Sequence, residues 1–262
     1  MTIKQSIAED YSLGASGAEL SKKYNLHEST IYKYLKRLAI PIRSNKINSK
    51  KFFCDETFFS SIDTEDKAYW LGFFYADGYQ TKNNYFGFSL STKDIEHLKK
   101  FNAAINSTYP IKEYLVTSGY KPGSSYCRLL IRSDKICSDL TACGAVKNKT
   151  LILTYPNIPE HLNRHFIRGY FDGDGSWTKD SKTKIGFQFK LCGTEAFLNS
   201  VCEILGIPKK LYKKGNCFYI SKAGQKVYDI MNYLYNDSTV YLERKYERYV
   251  KVKQSRQQET VE

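Results

Sequence analysis

The sequence predicts an α+β protein: two copies of one α/β unit form a pseudo-dimer within a single chain, behind a small all-α module at the N-terminus. Three observations predict it. An internal repeat with an offset of 97 aligns Gly72-Phe-Phe-Tyr-Ala-Asp77-Gly78 with Gly169-Tyr-Phe-Asp-Gly-Asp174-Gly175. Each copy is followed by an alternating stretch, Phe86, Phe88 and Leu90 in the first and Phe187, Phe189 and Leu191 in the second, which is the period of a half-buried strand. Residues 1–51 stand apart, with ten Lys/Arg against four Asp/Glu and a helical rather than a strand period.

Composition bounds the function. With 42% hydrophobic and 26% charged residues among 262, the chain can bury a core and is not a disordered protein. A formal charge of +13 suggests a polyanionic partner, although a basic solubility surface gives the same number. Seven cysteines without a CxxC pair indicate reduced thiols rather than a disulfide framework or a zinc ribbon. The first residues, MTIKQSIAEDYS, lack an apolar signal core, and the longest apolar run, Ala68 to Ala76, is about half of what a membrane span needs. The expected location is therefore cytoplasmic, at the nucleoid.

Taken in order, residues 1–45 are expected to form the all-α module. Ala18 to Tyr24 reads as one helix with Leu20 inward, and Ser29 to Leu38 as a second with Ile31, Leu35 and Leu38 on one face. The pair, with its turn at Asn25-Leu26-His27-Glu28, resembles a helix-turn-helix of resolvases and many repressors. The second helix would offer Ser29 and Thr30 to base edges and Lys33, Lys36 and Arg37 to phosphates; an ordinary basic helical hairpin is the alternative. Residues 46–64 read as a basic linker, 65–158 and 159–252 as the two repeats, and 253–262 as a polar tail.

Within each repeat the motif is an apolar helix, then a polar loop, then the alternating strand. Acidic helix starts follow at Asp94 and Glu195, strands at Tyr126 to Arg132 and Asn216 to Ile220, and helices around Ile136 to Cys143 and Val227 to Leu234. Glycine inside a helix costs about 1 kcal/mol relative to alanine. Close approach of two helices explains it, with Gly72 and Ala76 on one and Gly169 and Gly173 on the other. Each helix then ends in Asp-Gly. A carboxylate at a helix C-terminus faces the negative pole of the macrodipole, so Asp77 and Asp174 side by side call for cations between them, and oxygen-only donors suit Mg²⁺.

The two motifs, Trp70-Leu-Gly-Phe-Phe-Tyr-Ala-Asp-Gly78 and Ile167-Arg-Gly-Tyr-Phe-Asp-Gly-Asp-Gly175, resemble the paired signature helices of the single-chain LAGLIDADG homing endonucleases, over roughly residues 65–252. The resemblance implies αββαββα-like repeats with saddle-shaped antiparallel sheets that lie in the major groove of double-stranded DNA. It further implies divalent metal ions, Mg²⁺, held by Asp77 and Asp174, and cleavage across the minor groove that leaves short 3′ overhangs. It places a basic residue late in each half, at Lys149 and Lys245, where a lysine would polarise the scissile phosphate. The outward residues Gln188 and Lys190 suit base readout, Ser89 less so; Gln80, Lys82, Asn83, Asn84, Trp177, Lys179, Lys182 and Lys184 are loop candidates.

Other chemistries fall away. Asp172-Gly-Asp174-Gly-Ser176 begins like a calcium loop, but its sixth position is Trp177 and its twelfth Thr183. His161 and His165 have no third ligand nearby, and no phosphate-binding glycine loop occurs. The expected function is a monomeric, metal-dependent double-strand DNA endonuclease of the intron-homing kind. A non-catalytic DNA-binding regulator and an RNA splicing maturase on the same scaffold are the alternatives.

Overall fold

The computed structural model describes residues 2–42, 51–117, 122–145, 152–179 and 187–259. The chain divides into two compact units, Met1–Phe53 and Cys54–Glu262, each with its own core.

The first unit holds three helices, α1 (Ile3–Ser12), α2 (Gly17–Tyr24) and α3 (Glu28–Arg37). Helix α2 starts at a capping box: the Ser16 hydroxyl accepts from the Glu19 N–H at 3.2 Å while the Glu19 carboxylate accepts from the Ser16 N–H at 2.8 Å. It stops at Asn25, whose left-handed φ of 51° ends the helix. Ile7, Tyr11, Leu20, Ile31 and Leu35 form the core. Helix α1, unforeseen in the sequence, supplies two of these five. Leu38, expected inward, is the C-cap of α3 and is exposed, because α3 ends one residue too early to turn it under.

The second unit repeats one pattern twice. The first repeat comprises α4 (Glu65–Asp77), β1 (Gly78–Gln80), β2 (Tyr85–Ser91), α5 (Ile95–Ala104), β3 (Lys112–Leu115), β4 (Ser125–Arg132) and α6 (Asp134–Ala142). The second comprises α7 (Asn163–Asp174), β5 (Ser176–Lys179), β6 (Phe187–Gly193), α8 (Glu195–Ile204), β7 (Tyr212–Lys214), β8 (Cys217–Ala223), α9 (Gln225–Tyr235) and α10 (Glu243–Glu259). Both sheets are antiparallel and four-stranded, in the orders β1-β2-β4-β3 and β5-β6-β8-β7. The α+β architecture of two matching repeats is thus present, together with short strands β1, β3, β5 and β7 that carry too few alternating positions to show in the sequence. Helix α10 runs on to Glu259, through most of the segment expected as a tail.

Parity decides what each sheet shows. Phe86, Phe88, Leu90, Cys127, Leu129 and Ile131 of the first sheet are buried in the core, so their alternate neighbours Ser89, Ser91, Tyr126, Arg128 and Arg132 share the opposite face. One core runs through both repeats, and Phe59, Trp70, Phe166, Phe171 and Trp177 all belong to it. Among the described residues no helix is long and apolar enough to cross a membrane.

Candidate active site

Helices α4 and α7 are the two motif helices, and they pack on each other through their glycines. Thr64 caps α4, its hydroxyl accepting from the Lys67 N–H at 3.4 Å. A Cβ on Gly72 would strike the backbone carbonyl of Phe166, and one on Gly169 would strike that of Tyr69. Each glycine therefore sits under the other helix's backbone, a reciprocal fit that no larger residue permits. One turn further on, Gly173 faces Ala76, and a Cβ on Gly173 would lie 3.2 Å from Asp77 Oδ2.

This packing brings the two acids together. Asp77 is the last residue of α4 and Asp174 the last of α7, and the Asp77 carboxylate lies against the turn that carries Asp174. Both charges act on the same two neighbours: burial chiefly raises the Tyr170 hydroxyl pKa and the two aspartates add to it, while both oppose the fall that burial imposes on Lys245. Among the described residues no three His, Cys, Asp or Glu side chains group closely enough to hold a metal ion. Two hard carboxylates with solvent access nevertheless fit a divalent ion that takes its remaining ligands from phosphate oxygens and water.

Lys245, on α10, is 4% exposed, and its ammonium donates to the carbonyls of Phe171, Asp172 (2.9 Å) and Gly175 (2.6 Å). Burial pulls its pKa down to about 8, against the attraction of Asp172, Asp77 and Asp174. Lys149 lies outside the described residues, as do Lys182 and Lys184.

Behind the acids lies a buried polar network that sequence reasoning misses. Asp172, fully buried, accepts from Tyr69 Oη (2.7 Å), Tyr235 Oη (2.5 Å) and the Leu242 N–H (2.8 Å), while burial pushes its carboxyl up. Tyr69 Oη also meets His97 Nε2 at 3.1 Å; burial among Tyr69, Trp70 and Phe73 drives that imidazole down to about 3. Arg168, also fully buried, donates to the Val240 and Leu234 carbonyls at 2.9 Å each and to Glu65 at 2.6 Å. The available signal was charge at positions 168 and 172, four apart on a helix whose neighbours Phe166, Ile167, Tyr170 and Phe171 are apolar.

Glu65 gives this network a pH signature. Burial alone would raise its pKa, but His165, the Thr239 N–H and the Arg168 guanidinium outweigh burial and carry it down to about 2. Of the two side chains, Arg168 is at hydrogen-bonding distance and His165 stands at 3.6 Å. A carboxyl whose folded pKa is depressed contributes stability that is complete above its unfolded pKa, about 4.3, and is lost as pH falls toward 2. Wild type should therefore lose thermal stability more steeply between pH 4.5 and 2 than Glu65→Gln. The variant should be about 2 kcal/mol less stable at pH 7, because it leaves Arg168 buried beside a neutral partner. Parallel melting curves for the two proteins across that window would contradict this.

The other sequence candidates divide. Ser29, Lys33, Lys36 and Arg37 are exposed on one side of α3, with Thr30 half-buried beside them. Lys82, Asn83 and Ser89 are exposed, and Gln188 and Lys190 are half-buried on the outer face of β6. The Gln80 amide donates to the Ala145 carbonyl at 2.7 Å and the Asn84 amide to Asp134 at 2.9 Å, so both bind their own chain. Trp177 is corrected outright: it is 2% exposed and packs on Phe171 and Phe189, with ring centroids 4.4 and 5.4 Å away. It is the first inward position of β5, a core residue rather than a surface group. Lys179 closes β5, and only its backbone is described.

The outer face of the first sheet carries cations that the strand after the motif does not provide. Cross-strand register sets Ser89 opposite Arg128 and Arg128 opposite Lys112, and sets Tyr85 opposite Arg132. Tyr114 and Tyr126 stack at 5.1 Å, matched in the second sheet by Tyr212 and Tyr219 at 5.3 Å. Applying the parity of Cys127, Leu129 and Ile131 to the sequence would have found Arg128 and Arg132.

No family model matches the chain, and no curated protein matches it. Among solved structures, the chain is similar to the meganuclease I-SmaMI bound to an uncleaved DNA target in the presence of calcium ions, at 14% identity over 76% of this chain and 93% of that one, with a TM-score of 0.46. It is also similar to the LAGLIDADG meganuclease I-AabMI bound to uncleaved DNA, at 14% identity, 73% and 91% coverage and a TM-score of 0.46. A third, the LAGLIDADG meganuclease I-CpaMI bound to uncleaved DNA, has 12% identity, 74% and 90% coverage and a TM-score of 0.43.

Proposed function

We propose that residues 54–259 form a metal-dependent endonuclease that cuts both strands of a specific DNA site, and that α3 of the N-terminal unit is a second DNA-reading element. The observation that carries this reading is the pair of motif helices packed glycine to backbone, each delivering one aspartate to the same place. Two related acids, one per repeat, match two antiparallel strands related by a pseudo-twofold. The motif resemblance and the charge of +13 point to the same polyanionic substrate.

In this reading Asp77 and Asp174 hold Mg²⁺, which when bound supplies Lewis-acid activation of water and phosphate. The carboxylates orient it, and the reciprocal glycine packing fixes their separation. Arg128, Arg132 and Lys112 of the first sheet, and Lys190 of the second, bind phosphates or base edges on the outer faces, with Gln188 and Ser89 as polar readers. Lys149 is retained as a candidate for the first half. One chain supplies both halves, so the protein acts as a monomer.

The direct test is incubation of the protein with a randomised duplex library and Mg²⁺, followed by sequencing of the cut ends. A single preferred site with short 3′ overhangs is the expected result. Tight binding without any Mg²⁺-dependent cutting would favour the regulator reading, which the helix-turn-helix-like unit suggests. Absence of binding would reject both.

The two units make a further prediction. Each has a separate core, and residues 1–53 carry none of the proposed metal ligands, so deleting them should leave a folded nuclease. DNA binding should weaken, and its salt dependence should become shallower by about one unit for each phosphate that the missing cations no longer neutralise. If Ser29, Thr30 and Lys33 read bases, the truncated protein should also tolerate changes at one outer flank of the site. Identical flank preferences for both proteins would reject base readout by α3.

A further inference from the structure

Helix α10 presents two cations, one turn apart, to the turn that carries Asp174. A helix end leaves its last carbonyls without intrahelical donors. At the end of α7 these include the Asp172 carbonyl, while the Phe171 carbonyl already accepts from the Gly175 N–H at 2.8 Å; Lys245 donates to both and to the Gly175 carbonyl beyond. An ammonium has three N–H donors, and all three are accounted for by these carbonyls. Three residues on, Arg248 Nη1 donates to the Trp177 carbonyl at 2.7 Å, inside β5, where the indole is locked in the core. The acid-bearing turn is thus held at residue 172 on one side and at residues 175 and 177 on the other, with Asp174 between.

We propose that Lys245 and Arg248 form a clamp that positions Asp174, and that Lys245 acts through this carboxylate rather than by touching the scissile phosphate; this rests on the nuclease reading above. A positive charge at the negative pole of α7 also offsets the repulsion between that pole and Asp174. The turn after α4 is built differently. There side chains of α4 and β1 reach outward, Tyr75 to the Cys143 carbonyl and Gln80 to the Ala145 carbonyl. Every hydrogen bond described for the two clamp cations goes to the Asp174 turn or to β5, which leaves it, while Asp77 shares the charge of Lys245, so loss of the hydrogen bonds is felt at Asp174 before Asp77.

The test compares full-length wild type, Lys245→Met and Arg248→Met in two measurements. The first is hydrogen exchange of metal-free protein. The clamp predicts faster exchange in residues 173–177, by about tenfold or more, with the turn after α4 unchanged. The second is strand-resolved cleavage. One strand should slow by about ten- to a hundredfold, as for loss of a residue supporting a metal ligand, so that a singly nicked product with one fixed strand intact accumulates.

Global destabilisation would instead speed exchange throughout and slow both strands alike. Direct binding of the phosphate by Lys245 would leave exchange at wild-type rates while cleavage is abolished. Either outcome overturns the proposal. Should Lys245→Met fail to fold, Arg248→Met, whose side chain is exposed, decides by the same two measurements. If wild type cuts no DNA, the nuclease reading fails, while the exchange measurement still decides whether the clamp holds the turn.

Discussion

Asp77→Asn and Asp174→Asn are each expected to lower double-strand cleavage by about a thousandfold or more while leaving DNA affinity close to wild type. A bound metal ion supplies several kcal/mol of transition-state stabilisation, and each 1.4 kcal/mol is about tenfold in rate. In the proposed reading the affinity comes from cations on the sheet faces and on α3, which neither substitution touches. Stability should hold or rise, since each change removes an anion from the negative pole of a helix. Gel-shift binding and single-turnover cleavage, run side by side, check both halves of the statement. Wild-type cleavage by either variant in Mg²⁺ would remove the aspartates from the mechanism.

The largest effect on stability is expected from Gly72→Leu and Gly169→Leu. The atoms a new side chain would strike are the backbone carbonyls of Phe166 and Tyr69, which cannot rotate aside, so the helices must separate. Overpacking of a core costs about 1–3 kcal/mol where side chains can adjust, and these sites should lie at or beyond the upper end. For a unit of this size about 3 kcal/mol corresponds to a fall in melting temperature of roughly 10 °C. Separation would also pull Asp77 from the Asp174 turn, so cleavage should fall further than the folded fraction does. An unchanged melting midpoint would mean that α4 and α7 do not cross at these residues.

The repeat, the two glycine-bearing helices and both terminal aspartates are legible in the sequence because each depends on local pattern: a period, a helix-breaking dipeptide, a small residue out of place. What hides is anything set by packing between distant segments. Nothing near Lys245 announces that its partners are carbonyls some seventy residues earlier. Trp177 reads as a loop residue because β5 has only four positions, too few to establish a parity. Helix α1 escapes notice because its core contribution is two residues, Ile7 and Tyr11, spaced four apart in a polar stretch. Arg168 and Asp172 look like motif variation until the tertiary structure supplies Glu65, Tyr69 and Tyr235 around them.

The network behind the acids limits how far this protein can be taken apart and recombined. Arg168 and Asp172 belong to the second repeat, but they find Glu65 and Tyr69 in the first. The start of α10 is likewise fastened to the first repeat's α5, through Lys100 to Glu243 and the Tyr241 carbonyl, and through Asp94 to Arg244. A chimera that joins residues 159–259 to a foreign first half would keep the bonds of Arg168 to the Val240 and Leu234 carbonyls and those of Asp172 to Tyr235 and the Leu242 N–H. It would nevertheless bury the guanidinium without its carboxylate and leave the carboxylate one donor short, at a cost of several kcal/mol. Exchange of halves should therefore succeed only when the incoming half brings equivalents of Glu65, Tyr69, Asp94 and Lys100, which makes these four positions the compatibility code for recombining one half with another.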